Sequence, residues 1–453
     1  MIDLLLGWAA LLIILAALAI GRPGSGGALT LAYFIGLSLI HVPGAFIFTA
    51  SDVPLSNRDI SRLGFEMTIL GMTAFVAGAV LARGISRERA ILMRFSLPER
   101  SRIFERVGRR AIAAGALTYF IFIPFSFAVP SLTSVVSAFA TLLILGFWLM
   151  LYGAKADQRR NVSVVAMLPL LPLTTLVTGG YLGYGMNWVV GVIAFLFVLA
   201  RRRTTFYLVA PLVIYLGLSL FVTYMGQRTG IRDIVWRENS TLVDRIDRVS
   251  TIITQFQLID FESQAHMAAI DDRLNQNFLV GLAIGRHESG WSDFAYGATV
   301  PIWALIPRAI WPDKPSIGGG FDVVSDFTGI HFDEGTSVGA GQVLEFYINF
   351  GVPGLVIGFG LLGFVLMRLD GGIMRSLASS DTRGLVLRAM PGLTLLQPGG
   401  NLLEIIVAAA AAFLGAHLIL LLRLLDFTSR SERGNATAAQ YSTTAQVRER
   451  PKA

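Results

Sequence analysis

Apolar runs of about 20 residues, the length that crosses a bilayer as an α-helix, recur along most of the chain. Charged or polar segments separate them, so each run is read as one spanning helix. The pattern predicts eleven spans, near residues 2–21, 28–49, 64–82, 111–128, 133–153, 162–178, 183–200, 205–225, 353–369, 384–396 and 401–422.

The order of these runs divides the chain into four regions. Residues 1–225 carry the first eight spans, and residues 353–425 carry the last three. Between them lies one long polar segment, residues 226–352. The tail at 426–453 is polar and poor in bulky apolar residues, so we expect it to be disordered. The fold class predicted is an all-α polytopic membrane protein with one large, partly helical loop.

Composition agrees with a membrane protein. Of the 453 residues, 54% are hydrophobic and only 15% are charged, whereas about a quarter of a soluble protein is charged. The chain has no cysteine, which excludes disulfides, thiolate metal sites and cysteine nucleophiles.

Arginine distribution predicts the orientation. The segment 83–110 carries nine arginines, and positive residues concentrate in cytoplasmic loops. Successive loops lie on alternate sides of the membrane. Counting from this segment therefore also places the basic segments 155–160, 201–203 and 375–383 and the tail in the cytoplasm. We therefore expect a periplasmic N-terminus, a cytoplasmic C-terminus and a periplasmic loop at 226–352.

The long loop is where we expect function, because extended loops on a rigid scaffold carry most binding and catalytic residues. It holds nine basic and sixteen acidic residues, hence a net charge of −7, in a protein whose total charge is +7. Near its start, residues 241–256 predict an amphipathic helix that begins with a Thr241–Asp244 capping box. Such a helix packs on the membrane domain or lies in the interface.

A proline-rich stretch, residues 305–315, contains the most distinctive cations of the loop. Its three prolines stiffen the chain around Arg308 and Lys314, and fixed cations on the outer surface are suited to a phosphate. The alternatives are contact with lipid headgroups or a salt bridge between Lys314 and Asp313. Trp311 between them is suited either to an aromatic belt at the membrane surface or to stacking on a sugar.

Arg228 lies where the eighth span leaves the membrane. It is either an interface anchor or one arm of a phosphate clamp, since a guanidinium matches phosphate oxygens in bidentate fashion. Glu66, Glu404 and His417 fall inside predicted spans, where polar groups are costly and hence functional or paired. Glu66 and Glu404 lie towards the periplasmic side, and His417 is expected to be a packed histidine.

The remaining polar motifs give no metal or cofactor site. His331, Asp333 and Glu334 are too loosely spaced to predict a metal ion. No D-x-D, Walker A or G-x-S-x-G motif occurs. An enzyme working on the periplasmic side, away from ATP and nucleotide sugars, would need its activated group delivered already attached to a carrier lipid.

The stretch Ile306–Pro315, with Thr336-Ser337, Gly341-Gln342 and Glu345–Gly351, resembles the bacterial O-antigen or oligosaccharide-repeat-unit polymerases of the Wzy type. The resemblance extends to the topology, with a large periplasmic loop late in the chain. It implies a GT-C-like architecture and an inner-membrane glycosyltransferase. Such an enzyme transfers a growing glycan from one polyprenyl diphosphate to a new lipid-linked repeat unit.

That chemistry assigns roles to the residues above. Cations stabilise the leaving diphosphate without a metal, and the candidates are Arg228, Arg308 and Lys314, with Trp311 near the substrate. A carboxylate or histidine serves as general base; the candidates are Glu345, His287 and Glu288, with Glu345 slightly ahead.

Other functions stay open at this point. An O-antigen ligase would use the same donor but a lipid A core acceptor. A transporter or flippase for lipid-linked sugars would place charges near the bilayer midplane, and a structural envelope subunit is a further alternative. The expected partners are polyprenyl-diphosphate-linked glycans, membrane lipids and, through the resemblance, a chain-length regulator and a flippase, but no nucleic acid.

Overall fold

The computed structural model describes residues 1–20, 26–50, 58–85, 97–123, 130–154, 158–200, 203–237, 240–290, 306, 310–311, 320–332, 338–423 and 425. Every regular element in these ranges is helical. The helices are α1 (Ile2–Ile20), α2 (Ala28–Ala50), α3 (Arg58–Ile85), α4 (Leu97–Leu117), α5 (Pro130–Phe139), α6 (Thr141–Gly153), α7 (Gln158–Ala166), α8 (Leu170–Gly179), α9 (Leu182–Leu199), α10 (Thr204–Val235), α11 (Leu242–Thr254), α12 (Gln264–Leu274), α13 (Gln276–Glu288), α14 (Gly320–Thr328), α15 (Gly341–Ser379), α16 (Thr382–Thr394) and α17 (Leu402–Leu421).

Within the described part of the chain, nine helical segments are long and apolar enough to cross a membrane. They are α1, α2, α3, the joined pairs α5–α6 and α7–α8, and α9, α10, α15 and α17. All nine coincide with predicted spans. The polytopic helical membrane protein expected from the sequence is thus confirmed.

The other two predicted spans are helical over the residues that the structure describes, but neither is among the nine. Segment 111–128 falls on the end of α4 and the π-helical turn Thr118–Phe122 that continues it. Segment 384–396 falls on α16, which has 13 residues. The tail predicted to be disordered, 426–453, lies outside the described residues.

Helix α3 is the central packing element, with α15, α13 and α1 against it. Small residues allow close approach between membrane helices, and α3 carries glycines at positions 64, 71 and 78. A Cβ at Gly78 would lie 1.9 Å from the carbonyl oxygen of Gly360, and one at Gly64 would lie 1.9 Å from that of Asn277. The heptad spacing of these glycines therefore brings α15 and α13 onto α3.

Helix α15 is broken at Phe350 and Gly351, where Gly351 takes a φ of +62°. The ring centroids of Phe346 and Phe359 are 5.3 Å apart, whereas these residues would be about 20 Å apart in a continuous helix. The short arm, residues 341–349, therefore folds back along the long arm, residues 352–379. The sequence predicted a single span that starts at residue 353.

The short arm meets the loop between α16 and α17. Gln342 donates its backbone N–H to the Pro398 carbonyl (3.0 Å), and Ala340 donates to Asn401 Oδ1 (3.2 Å). The Tyr33 hydroxyl of α2 donates to Gln342 Oε1. Irregular backbone inside a membrane protein persists only where protein or water satisfies its polar groups. Here the start of the short arm and the α16–α17 loop form hydrogen bonds with each other.

The amphipathic helix predicted at 241–256 is α11. Its capping box between Thr241 and Asp244 is present, and the hydrogen bonds from Thr241 lower the pKa of Asp244. Val249 and Ile252 are its buried residues, and they pack with α8 and α10. Leu242, Ile246 and Ile253 of the predicted apolar face are exposed, so α11 is packed on one side only.

Candidate functional site

Three arginines lie within electrostatic range of one another beyond the predicted end of the eighth span. Helix α10 continues ten residues past the predicted boundary at 225, which places Arg228 and Arg232 one turn apart on the same face. Arg273, near the end of α12, is the third. Arg228 is within electrostatic range of both others, and Arg273 is within range of Arg232. We call these three residues the arginine cluster.

The arginine cluster is electrostatically costly. Burial, followed by the positive charge of Arg232, lowers the pKa of Arg273, while Asp272 acts in the opposite direction. Burial and Asp271 in turn raise the pKa of Asp272. Like charges one turn apart also destabilise a helix by roughly 0.2–0.5 kcal/mol. An arrangement that costs stability in the unliganded protein is suited to a polyanion that would remove the repulsion.

Arg232 is held by aromatic rings. Its Cζ lies 5.0 Å from the ring centroid of Tyr181 and 4.9 Å from that of Trp236, the geometry of cation–π contacts. Its Nε atom is buried and has no hydrogen-bond partner among the described residues. The guanidinium is therefore oriented by its stem and the rings.

The turn between α8 and α9 is pinned to α10 beside this site. Tyr224 of α10 donates its hydroxyl to the Gly180 carbonyl (2.8 Å), and Trp236 donates Nε1–H to the Gly179 carbonyl (3.1 Å). Gly180 has a φ of +71°, which an L side chain rarely adopts. These contacts fix Tyr181 relative to Arg232.

Aromatic rings continue from the arginine cluster towards α17. Tyr181 lies 6.1 Å from Trp236 and 5.8 Å from Tyr184, centroid to centroid. Tyr184 and Trp236 are each about half exposed (47% and 50%). A Cβ at Gly183, the residue before Tyr184, would meet nothing within 4 Å. We call Trp236, Tyr181 and Tyr184 the aromatic strip.

Two carboxylates lie at the start of α17. Glu345, on the short arm of α15, is buried and accepts the backbone N–H of Leu402. Glu404 is exposed in the first turn of α17. Glu404 is within electrostatic range of Tyr184 and of Glu345. Glu345, the leading base candidate from the sequence, thus caps a helix, and the accessible carboxylate beside it is Glu404.

His287 and Glu288 end helix α13 next to the short arm of α15. The His287 ring contacts the Tyr347 ring edge to face, with centroids 6.4 Å apart. Glu288 is exposed and within electrostatic range of Tyr347. His287 therefore contacts Tyr347 and Glu288 is within electrostatic range of it, whereas Glu404 is within electrostatic range of Tyr184.

The structure describes only some of the remaining predicted site residues. Arg308 and Lys314 lie outside the described residues, as do Asp333 and Glu334. Trp311 is described and 36% exposed. Among the described residues, no group of three or more His, Cys, Asp or Glu side chains could hold a metal ion.

The other polar residues predicted inside spans have simpler surroundings. Glu66 accepts Arg62 Nε at 3.1 Å within one helical turn. His417 is exposed on α17, contrary to the packed position expected, and its Nδ1 is 2.8 Å from the Phe413 carbonyl of its own helix.

A buried polar junction fastens the long loop to the membrane helices. Asn277 donates Nδ2–H to the His41 carbonyl (2.7 Å), and its Oδ1 lies 2.7 Å from His41 Nδ1 and accepts the Thr68 hydroxyl (3.1 Å). Asn275 donates to Ser61 Oγ (3.1 Å). These bonds hold the segment directly after Arg273 in place.

The sequence made Arg228 a candidate but did not single out Arg232, Arg273 or the aromatic strip. The pair Arg228 and Arg232 at i, i+4 was a usable signal, had α10 been extended past 225. The contribution of α12 had no sequence signal, because it depends on how the loop folds back.

The chain matches no protein-family model, and no curated protein or solved structure shows significant similarity to it.

Proposed function

We propose that the protein is a glycosyltransferase that polymerises polyprenyl-diphosphate-linked oligosaccharide repeat units, and that the arginine cluster holds the diphosphate. The single observation that carries this proposal is the convergence of Arg228, Arg232 and Arg273. Three guanidinium groups within electrostatic range of one another suit the several oxygens of a diphosphate. They would also stabilise the charge that develops when the diphosphate leaves.

The surroundings of the arginine cluster support a glycan-carrying ligand. The aromatic strip lies beside Arg232, and aromatic faces suit the apolar C–H faces of sugars. Helix α10 exposes Leu208, Leu212 and Ile214 to the outside, which suits the lipid tail of such a donor. One ligand with an anionic diphosphate, a sugar and an isoprenoid chain accounts for all three surfaces.

The proposal includes the finer topology. We place the protein in a bacterial inner membrane with eleven spans, a periplasmic N-terminus and a cytoplasmic C-terminus. Helix α4 supports an additional span because it runs antiparallel along α6: Ser101 donates to the Gly153 carbonyl (2.6 Å), and a Cβ at Gly115 would lie 2.6 Å from the Leu143 nitrogen. Helix α16 packs between α15 and α17 and would be the other.

The test is polymerisation by the purified protein in lipid nanodiscs that contain a lipid-linked repeat unit. Arg228→Gln, Arg232→Gln and Arg273→Gln are each expected to lower kcat by about 10²-fold or more, the effect of losing one charge-stabilising donor. Arg237→Gln is the control, because Arg237 is exposed and lies just beyond the same end of α10. Full activity in all three variants would refute the role of the cluster, and glycan transfer to a lipid A core alone would indicate a ligase.

A transporter for lipid-linked sugars is the second candidate, and the short arm of α15 favours it. Transporters commonly bind substrate at broken helices near the midplane, and Gln342 lies at the end of such an arm against Tyr33 and the α16–α17 loop. In proteoliposomes a transporter would move a labelled lipid-linked sugar between leaflets without lengthening it. Growth of the glycan in the nanodisc assay would instead support the polymerase.

A further inference from the structure

Helix α10 carries its chemical groups in a fixed order along its axis. Residues 204–225 contain no charged side chain, and Arg228 follows just beyond them. Arg232 comes one turn later on the same face, about 6 Å farther along the axis. Trp236 of the aromatic strip stands at the C-terminal end of the helix. The order is therefore apolar, cationic, cationic and aromatic.

Arg232 is held in place by rings and keeps its terminal nitrogen atoms available. Its Cζ lies 5.0 Å from the ring centroid of Tyr181 and 4.9 Å from that of Trp236, so cation–π contacts orient the guanidinium. Among the described residues its buried Nε atom has no hydrogen-bond partner, and its two Nη atoms are neither enclosed nor hydrogen-bonded. An oriented guanidinium with an open edge can bind one phosphate group in bidentate fashion.

The turn between α8 and α9 is what holds the tyrosine ring in place. The Tyr224 hydroxyl donates to the Gly180 carbonyl (2.8 Å), and Trp236 donates Nε1–H to the Gly179 carbonyl (3.1 Å). Tyr181 follows this turn directly and precedes α9. Two side chains of α10 thus fix the turn whose tyrosine in turn orients an arginine of α10.

We infer that the lipid-linked donor binds along α10 in one direction, with the phosphate next to the lipid at Arg228 and the phosphate that carries the sugar at Arg232. This inference rests on the proposed function. The donor has the same order of groups as α10, since its chain stays in the membrane, two phosphate groups follow and the sugar comes last. Tyr224 and Trp236 are positioning residues, because their hydrogen bonds act on the second phosphate through Tyr181 and Arg232.

The test compares the binding of farnesyl monophosphate and farnesyl diphosphate by titration calorimetry, with the protein in nanodiscs. Both probes offer the lipid-side phosphate and only the diphosphate offers the second, so the ratio of their Kd values reports on the second position. Arg232→Gln is expected to lower the preference for the diphosphate about tenfold or more, the effect of losing a hydrogen bond to a charged group. Its affinity for the monophosphate should change little. Arg228→Gln is expected to weaken both probes and to keep the ratio.

Tyr224→Phe and Trp236→Phe test the positioning role, since each removes one hydrogen bond to the turn and keeps an aromatic ring. Both are expected to lower the preference for the diphosphate severalfold, with wild-type affinity for the monophosphate. A purely structural role would change the melting temperature and both affinities but not their ratio. Trp8→Phe is the matched control, because Trp8 also donates its Nε1–H, to Ser38 Oγ (2.8 Å), but lies on α1.

Arg237→Gln controls for the loss of one positive charge and should keep the wild-type ratio. An unchanged ratio in Arg232→Gln would overturn the inference, and so would an equal or larger fall in Arg228→Gln. Arg232→Lys keeps the charge but not the planar fork, so it repeats the test if the Gln variant does not accumulate. If the wild-type protein polymerises the glycan while the ratio is unchanged in Arg232→Gln, only the orientation falls. If the wild-type protein binds neither probe, the role of the arginine cluster falls as well.

Discussion

Arg228 and Arg232 stand one turn apart on the same face of α10, and each is within electrostatic range of Arg273 on α12. This repulsion is present whenever the site is empty. An anion that binds between the three guanidinium groups replaces repulsion with charge-assisted hydrogen bonds. Ligand binding and stability are therefore coupled at this site.

Inorganic diphosphate is expected to raise the melting temperature of the wild-type protein. A ligand that binds only the folded state stabilises it by about 2.7 kcal/mol at 100 times its Kd. The measurement is thermal unfolding in detergent with and without diphosphate. Sulfate at equal ionic strength controls for salt, and an equal rise in a variant with all three arginines changed to Gln would contradict a specific site.

Filling the open space at Gly183, the residue before Tyr184, is expected to impair donor binding without unfolding the protein. Gly183→Leu places a side chain where a Cβ meets nothing within 4 Å, so we expect little change in melting temperature and a severalfold higher KM for the donor. Gly217→Leu is the matched control, because Gly217 on α10 is equally open but lies about three turns from Arg228. Equal KM values in the two variants would exclude a substrate surface at Gly183.

The glycines of α3 are expected to tolerate a methyl group only where space exists. Gly78→Ala would push a Cβ to 1.9 Å from the Gly360 carbonyl oxygen, and overpacking of this kind costs about 1–3 kcal/mol or more. Gly84→Ala meets nothing within 4 Å and should be neutral or slightly stabilising, since Ala favours helix. The measurement is the melting temperature of the two purified variants, and equal values would contradict the packing described.

Asp370 is expected to be essential for stability because it caps α2 from α15. Its carboxylate accepts the backbone N–H groups of Leu29 and Thr30, both at 2.9 Å, and the Thr30 hydroxyl at 2.7 Å. Asp370→Ala leaves these buried donors unsatisfied, at about 1–3 kcal/mol each. Asp370→Asn should lose less, because its amide still offers one acceptor.

The role of Asp370 is tested by measuring how much of the Asp370→Ala and Asp370→Asn proteins accumulates in the membrane and at what temperature each unfolds. Asp233→Ala is the control, since Asp233 is exposed. A melting temperature of Asp370→Ala equal to that of the control would contradict the capping role.

The hydrophobic pattern determined most of the fold. Nine of the predicted spans coincide with helices able to cross a membrane, because a 20-residue apolar run has few alternatives to a helix in lipid. The capping box at Thr241 and Asp244 was also predictable, since it joins residues three positions apart. The position of Arg228 at the end of a span made it a candidate, and its role stays a prediction.

Tertiary structure alone decided the rest of the candidate site. Arg273 joins Arg228 only because the long loop returns to the membrane helices and is fastened there by Asn277 to His41. Glu345 and Glu404 share one helix start only because the short arm of α15 folds back at Gly351. Local sequence determines whether a segment is helical and which faces are apolar. Contacts between residues far apart in the chain depend on packing of the whole molecule, and these contacts assemble the candidate site.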